Sequence, residues 1–275
     1  MVPVAGMESS VGTIAIVGAG VMGETLLSGL IRSGHQPDQI VVAERREERA
    51  TELSERYGVK VLGNEEAVAV ANTVILVVKP QDMGPVLDGI RDAIPIGSLV
   101  VSLAAGITTS FLEDRLEAGH AVVRVMPNTP ALVDEGMSAI SPGSSCDEEH
   151  LVEAEKLMES VGRVVRVPEK QQDAVTAISG SGPAYIFHVI ESMIEAGVHL
   201  GLPRATATEL AIQTAYGSAA MIRETAEHPA VLREQVTSPA GVTAAALRQL
   251  ENHGVRAAFL AALEAARDRS EYLGS

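Results

Sequence analysis

Three glycines carry the first chemical signal. In TIAIVGAGVMGETLLSGL, Gly18, Gly20 and Gly23 have the G-x-G-x-x-G spacing, directly after an apolar run and directly before a helical pattern. In that context Gly18 permits a tight turn, Gly20 lets backbone approach a pyrophosphate, and Gly23 permits close helix–strand packing. The spacing alone is weak, but the strand before it, the helix after it and a second strand ending at Glu44 make a dinucleotide the expected ligand. Glu44 is followed by Arg45 and Arg46. A carboxylate there can take both hydroxyls of a ribose and repel a 2′-phosphate, whereas guanidinium groups suit that phosphate. The alternative for both arginines is a solvated first helical turn shared with Glu47, Glu48 and Arg49.

The elements that position these residues follow from periodicity. The runs TIAIVG, IVVAE, TVILVV, SLVVSLA, AVVRVMP and GRVVRV alternate with amphipathic segments such as ETLLSGLIRSG, EERATELSERYG and QDMGPVLDGIRDAI. That alternation predicts βαβ units around a parallel sheet. Ligands of open α/β sheets bind outside the carboxyl ends of the strands. This selects VVKPQ at 77 to 81, LAAGIT at 103 to 108 and VMPNTP at 125 to 130 as ligand-facing. Lys79 is the only lysine at such an end, where ligand contact and a solvated or ion-paired strand end are equally open.

Beyond Lys170 no comparable β-rich run occurs, and Ala-rich helices are punctuated at GSGPAY, GLPRATATEL, TSPAGVTAAAL and HGVRAAFLAALEAARDRSEYL. The expected organisation is an extended or disordered lead-in over 1–12, a Rossmann-type dinucleotide-binding domain over 13–168, and an all-α domain over 169–275. Phe187, Ile190, Ile194, Leu210, Ile212, Ala215, Ala219 and Met221 are more apolar surface than one helix stripe needs. They predict burial by neighbouring helices or, as favoured here, a homodimer formed through this part.

Composition narrows the partners. With Lys+Arg 21 against Asp+Glu 36, the formal charge is −15, which repels phosphate backbones and anionic lipid. No nucleic acid or membrane partner is expected, and an anionic ligand must be held by local N–H groups and helix dipoles. The single Cys146 excludes an internal disulfide framework and CxxC metal spacing, so no metal is expected and a cytoplasmic location is.

The segments GAGVMG, VVKPQ, SLAAGIT, RVMPNTP, AISGSGPAYIFHVIESM, GLPRATATELA and VTSPAGVTAAALRQLE follow one another in an order that resembles the pyrroline-5-carboxylate reductases, from residue 13 to residue 272. SGSGPAY followed by TSPAGVT is the specific part, since many dehydrogenases share the N-terminal glycines. The resemblance implies reduction of 1-pyrroline-5-carboxylate to L-proline, the last step of proline biosynthesis. It implies a dimer assembling into a decamer, and NADPH as preferred donor with NADH workable, which the paired arginines permit if Glu44 swings outward or pairs with one of them. By position, Val17, Gly18, Ala19, Gly20, Val21, Met22, Asn64, Val77, Val78, Lys79, Pro80, Leu103, Ala104 and Ala105 would line the cofactor. Gln235, Val242 and Thr243 would lie around the nicotinamide and substrate.

The residues of TSPAGVT agree with that implication. Ser238 is a good N-cap and Pro239 a good first helical residue, which predicts unpaired N–H groups at Ala240, Gly241 and Val242, an anion site suited to the substrate carboxylate. Thr243 offers a hydroxyl to the ring nitrogen and is the expected catalytic residue. Ser181, Gly182 and Pro183 are expected at the start of a long helix, with Gly182 allowing close approach of a ligand. His188, on that helix among apolar residues, is assigned no catalysis. The sequence departs from its relatives at Ala240, where a second glycine is usual, and at Val242, where Thr or Ala is. Rival readings are a 3-hydroxyacid-type dehydrogenase, which uses a lysine in the helical domain where this chain has none after Lys170, and a non-catalytic nucleotide sensor.

Overall fold

The computed structural model describes residues 12–274, so the expected lead-in lies outside the described residues except for Gly12. Among the described residues there are eight strands: β1 Ile14–Val17, β2 Ile40–Ala43, β3 Lys60–Leu62, β4 Thr73–Leu76, β5 Leu99–Ser102, β6 Ala121–Met126, β7 Gly136–Pro142 and β8 Gly162–Arg166. They form one sheet in the order β3-β2-β1-β4-β5-β6-β7-β8. Pairing is parallel from β3 through to β6, antiparallel between β6 and β7, and parallel again between β7 and β8. The strand order reverses between β1 and β4, the switch point at which doubly wound sheets hold ligands.

β1, β2, β4 and β5 are buried at all four positions, as strands covered on both faces must be. One apolar cluster, including Ile16, Leu26, Leu30, Ile75 and Leu157, fills one side of the sheet. A second, with Val74, Leu76, Met83, Leu87 and Ile90, fills the other. Seven helices accompany the sheet: α1 Val21–Arg32, α2 Glu47–Tyr57, α3 Asn64–Val68, α4 Met83–Ile90, α5 Thr109–Glu113, α6 Glu148–Glu159 and α7 Gln172–Val175.

Two strands lack the expected apolar signature. β3 is only three residues long, and β7, GMSAISP, carries Gly, Ser and Pro. The sheet is therefore not wholly parallel as expected, because β7 reverses direction beside β6.

The chain divides into two compact units. One runs to Gly180 and includes the chain again from Arg267, and the other is Ser181–Ala266. Residues 169–180 go with the sheet because Gln172 is fully buried, its Nε2 donating to the Ala139 carbonyl at 3.3 Å and to Ser141 Oγ at 2.7 Å. This break falls after Gly180 rather than near 168.

The second unit is built from α8 Gly182–His199, α9 Arg204–Thr225, α10 Pro229–Gln235, α11 Val242–Asn252 and most of α12 Val255–Gly274. α10 has no counterpart among the expected helices. α8 and α9 meet where Gly197 faces Ala207, so closely that a methyl on Gly197 would stand 2.9 Å from Ala207 Cβ. α8 has no buried residue, and Phe187, Leu210, Ile212 and Met221 are at least half exposed in the single chain. Exposed apolar helix faces of that extent mark association surfaces. No helix among the described residues is long and apolar enough to cross a membrane.

Candidate active site

The glycine loop is built as three different steric problems. Gly18 has φ +103°, a conformation L side chains rarely adopt, and a methyl there would stand 2.6 Å from the Val77 carbonyl oxygen. A methyl on Gly23 would stand 2.1 Å from the Gly18 carbonyl oxygen, so α1 can lie against the loop only if residue 23 has no side chain. Gly20 is different: its φ of −70° suits any residue, and a methyl there would meet nothing within 4 Å. Protein packing does not require glycine at position 20, whereas a closely approaching ligand does.

α1 begins beside that space. Gly20 is its N-cap and supplies no side-chain cap, so the N–H groups of Val21, Met22 and Gly23 have no intrahelical acceptor. Together with the helix dipole they form a positive end suited to a pyrophosphate in an otherwise acidic protein. Ala19 is buried and Val21 exposed on the lip.

Glu44 leaves the end of β2 and is clasped by Arg46. The Arg46 backbone N–H (3.0 Å) and Nε (3.1 Å) donate to Oε1, and Nη2 donates to Oε2 (3.1 Å). These hydrogen bonds outweigh the opposing effect of burial and hold the Glu44 carboxyl below its ordinary range. Arg45 lines a cavity together with Asn64, the first residue of α3, and Asp82 and Val86. Arg49, which the solvated-turn alternative leaves exposed, is mostly buried. It donates to Glu24, to Glu52 and to the Ala19 carbonyl, and with Arg56 and Tyr57 on Glu24 it ties α2 to α1 beneath the loop. A long-range ion pair of this kind leaves no trace in sequence spacing.

Val77, Val78, Lys79 and Pro80 continue from β4, the first two half-buried and the last two exposed. Leu103 and Ala104 are buried and Ala105 exposed after β5, with Leu103 N–H donating to the Leu76 carbonyl at 3.0 Å. The residues expected around the cofactor on the sheet thus sit at the carboxyl ends of β1, β2, β4 and β5, four strands adjacent in the sheet, with Asn64 added from α3.

In the helical unit, Ser181 precedes α8, and Gly182 and Pro183 form its first turn as expected. A methyl on Gly182 would also meet nothing within 4 Å. A π-helical turn, Thr176–Gly180, runs into this start. Gln235 ends α10, its Nε2 donating to Glu227 at 3.0 Å.

The TSPAGVT segment corrects one expectation. Ser238 is not the N-cap; Gly241 is, and α11 starts at Val242. Residues 238–241 instead close a turn in which Gly241 N–H donates to the Ser238 carbonyl at 3.0 Å and Ala240 takes φ +56°. The Pro at the second position and left-handed residue at the third are those of a type II turn, which explains why a glycine at 240 is usual. Turn formation uses the Gly241 N–H, so the donors without an intrahelical acceptor are those of Val242, Thr243 and Ala244. Thr243 is half-buried and Val242 largely exposed.

Cys146 is half-buried, its Sγ donating to the Val122 carbonyl at 2.9 Å, and burial pushes its thiol up, away from reactivity. Among the described residues no group of three His, Cys, Asp or Glu side chains is placed to hold a metal.

A 3-2-1-4-5-6 parallel core with a ligand-ready glycine loop, followed by a helical unit with uncovered apolar faces, defines a dinucleotide-binding oxidoreductase of the two-unit kind. Comparison with known proteins narrows this. Residues 13–106 match the family described as NADP oxidoreductase, coenzyme F420-dependent, and residues 169–273 match pyrroline-5-carboxylate reductase dimerisation. The chain is 49% identical to the pyrroline-5-carboxylate reductase of Corynebacterium melassecola, covering 95% of this chain and 98% of that protein. It resembles the solved pyrroline-5-carboxylate reductase of Coxiella burnetii with a TM-score of 0.92 at 36% identity, over 96% of this chain and 99% of that one. The Plasmodium falciparum pyrroline carboxylate reductase with NADP bound is similar with a TM-score of 0.86 at 30% identity, over 98% and 100% of the two chains. The chain belongs to the pyrroline-5-carboxylate reductase family.

Proposed function

We propose that the protein reduces 1-pyrroline-5-carboxylate to L-proline, the last step of proline biosynthesis, taking NADPH in preference to NADH, in the cytoplasm and as a dimer assembled into a decamer. The observation that carries the reaction is family membership over nearly the whole chain. The open space at Gly20, which no protein atom fills, supports a dinucleotide as its ligand.

When bound, the nicotinamide supplies the hydride. The chain's part is to hold and orient, since a protonated imine is already an electrophile and needs no strong general acid. The N–H groups at the start of α1 hold the pyrophosphate, with Val17 to Met22, Asn64, Val77 to Pro80 and Leu103 to Ala105 lining the dinucleotide. Arg46 neutralises Glu44 at the end of β2, and Arg45, lining a cavity with Asn64, Glu65, Glu66 and Asp82, is left to meet a 2′-phosphate. That arrangement supports NADPH, while the same carboxylate keeps NADH usable.

The N–H groups of Val242, Thr243 and Ala244 receive the substrate carboxylate, and the Thr243 hydroxyl hydrogen-bonds the ring nitrogen as it becomes an amine. Gln235, Ser238 and Gly241 are assigned to the substrate and nicotinamide by the family resemblance, as are Ser181, Gly182 and Pro183 at the start of α8. The exposed apolar faces of α8 and α9, with the dimerisation family match, support association through the helical unit. Parallel titrations with NADPH and NADH, following cofactor oxidation on adding 1-pyrroline-5-carboxylate, test the reading. Equal kcat/KM for the two donors would overturn the preference, and no oxidation with either would overturn the reaction.

A further inference from the structure

The loop after β5 is braced from two directions by chain that comes from far away in sequence. On one side lies Glu169. Its Oε1 accepts from the Thr109 backbone N–H at 2.7 Å and its Oε2 from the Thr109 hydroxyl at 2.6 Å, while Arg124, almost wholly buried on β6, pairs with Oε1 at 3.3 Å. On the other side lies the end of α12. Its final turns, from Arg267, belong to the same compact unit as the sheet. Ser270 is the one buried residue of that helix, and its hydroxyl donates to Asp173 Oδ1 on α7 at 2.6 Å. One turn further, Gly274 reaches Gly106: a methyl on Gly274 would stand 2.9 Å from the Gly106 carbonyl oxygen. Gly106 itself holds φ +77°, and a methyl on it would lie 3.6 Å from Gly274 Cα. Two backbones meet here with no side chain between them.

Gly106 directly follows Ala105 and stands in the loop that carries Leu103 and Ala104 outside the β5 carboxyl end. We propose that the last turns of α12 are a positioning element for this nucleotide-lining loop, with Ser270 and Gly274 as the positioning residues. Ser270 anchors the helix end to α7, and Gly274 brings its backbone against Gly106 so that the loop is held in its ligand-receiving conformation before the ligand arrives. With the anchor released, the loop samples other conformations, and binding must first select the competent one, which lowers apparent affinity without altering the chemical step. This rests on the assignment of residues 103–105 to the cofactor.

The test uses the full chain and reads NADPH affinity by fluorescence titration in the absence of substrate, with kcat at saturating NADPH measured separately. Ser270→Ala is expected to raise the NADPH dissociation constant about threefold, from loss of one anchoring hydrogen bond. Ser270→Thr, which keeps the hydroxyl, is expected to restore it. Gly274→Val is expected to raise it about tenfold by forcing the two backbones apart. In all three variants kcat is expected to stay near the wild-type value. A general loss of structure would lower kcat together with affinity and would not be rescued by threonine; either result overturns the proposal, as does an unchanged dissociation constant in both Ser270→Ala and Gly274→Val. Failure of the wild-type chain to bind NADPH would overturn the cofactor assignment itself, an outcome distinct from wild-type binding that the variants leave unchanged.

Discussion

Replacing Gly20 by alanine separates ligand recognition from folding, and Gly23→Ala is its counterpart. The Gly20 backbone already has a φ that alanine adopts, and the added methyl enters empty space. As an N-cap, alanine is worse than glycine by about 0.5 to 1 kcal/mol. The stiffer unfolded chain returns about 0.4 to 1 kcal/mol, so stability is expected to stay within about 0.5 kcal/mol of wild type. The methyl occupies the side from which a pyrophosphate must come, and overpacking there costs about 1 to 3 kcal/mol of binding, which is about five- to a hundredfold in the dissociation constant. Gly23→Ala does the reverse, because its methyl would lie 2.1 Å from a backbone oxygen that cannot turn aside. It is expected to destabilise the ligand-free protein by at least about 1 to 3 kcal/mol, a fall in Tm of about 2 to 4 °C for each kcal/mol in a chain of this size. Thermal unfolding without ligand and NADPH fluorescence titration read the two effects. Unaltered NADPH affinity in Gly20→Ala would refute the reasoning, as would an equal loss of stability in both variants.

Further expectations follow from the TSPAGVT segment and the end of β2. Ala240→Gly removes a left-handed alanine that costs about 1 to 2 kcal/mol, against about 0.5 to 1 kcal/mol of added chain entropy, so denaturant unfolding is expected to show a small gain in stability; a loss would mean the Ala240 methyl packs favourably. Thr243→Ala is expected to lower turnover while leaving NADPH affinity near normal, and unchanged steady-state turnover would remove Thr243 from the reaction. Arg46→Ala frees the Glu44 carboxylate and is expected to raise the NADPH KM several-fold more than the NADH KM; parallel changes in the two would contradict the donor assignment. Because Glu44 titrates below its ordinary 4.5 in the folded protein, the pair's contribution is fully present above that value and is lost as pH falls through the lower folded value. Wild type is therefore expected to have a higher Tm than Glu44→Gln above about pH 4.5 and to converge on the variant as pH falls below it, read by acid titration of Tm.

Strong local patterns made much of the fold legible. β1, β2, β4 and β5 are uninterrupted apolar runs, and Pro183 and the glycine before it mark the start of α8 as the sequence predicts. β3 and β7 were not legible because three residues carry no periodicity, and because Gly, Ser and Pro in β7 read as turn chemistry until β6 and β8 flank it. In TSPAGVT, Ser-Pro has two local solutions, a helix cap or the first half of a turn. The turn prevails here, and the free donors move to Val242, Thr243 and Ala244. Glu169 with Thr109 and Arg124, Arg49 with Glu24, and Ser270 with Asp173 are contacts between residues remote in sequence, which no spacing rule encodes. The pairing of Glu44 with Arg46 was open from sequence, since the acid could equally have faced a ribose alone.

The most direct measurement is of product and cofactor together: purified protein, NADPH and 1-pyrroline-5-carboxylate, with absorbance and L-proline followed in the same reaction. One L-proline formed for each NADPH oxidised is the predicted result. Oxidation without proline, or no oxidation at all, would contradict it.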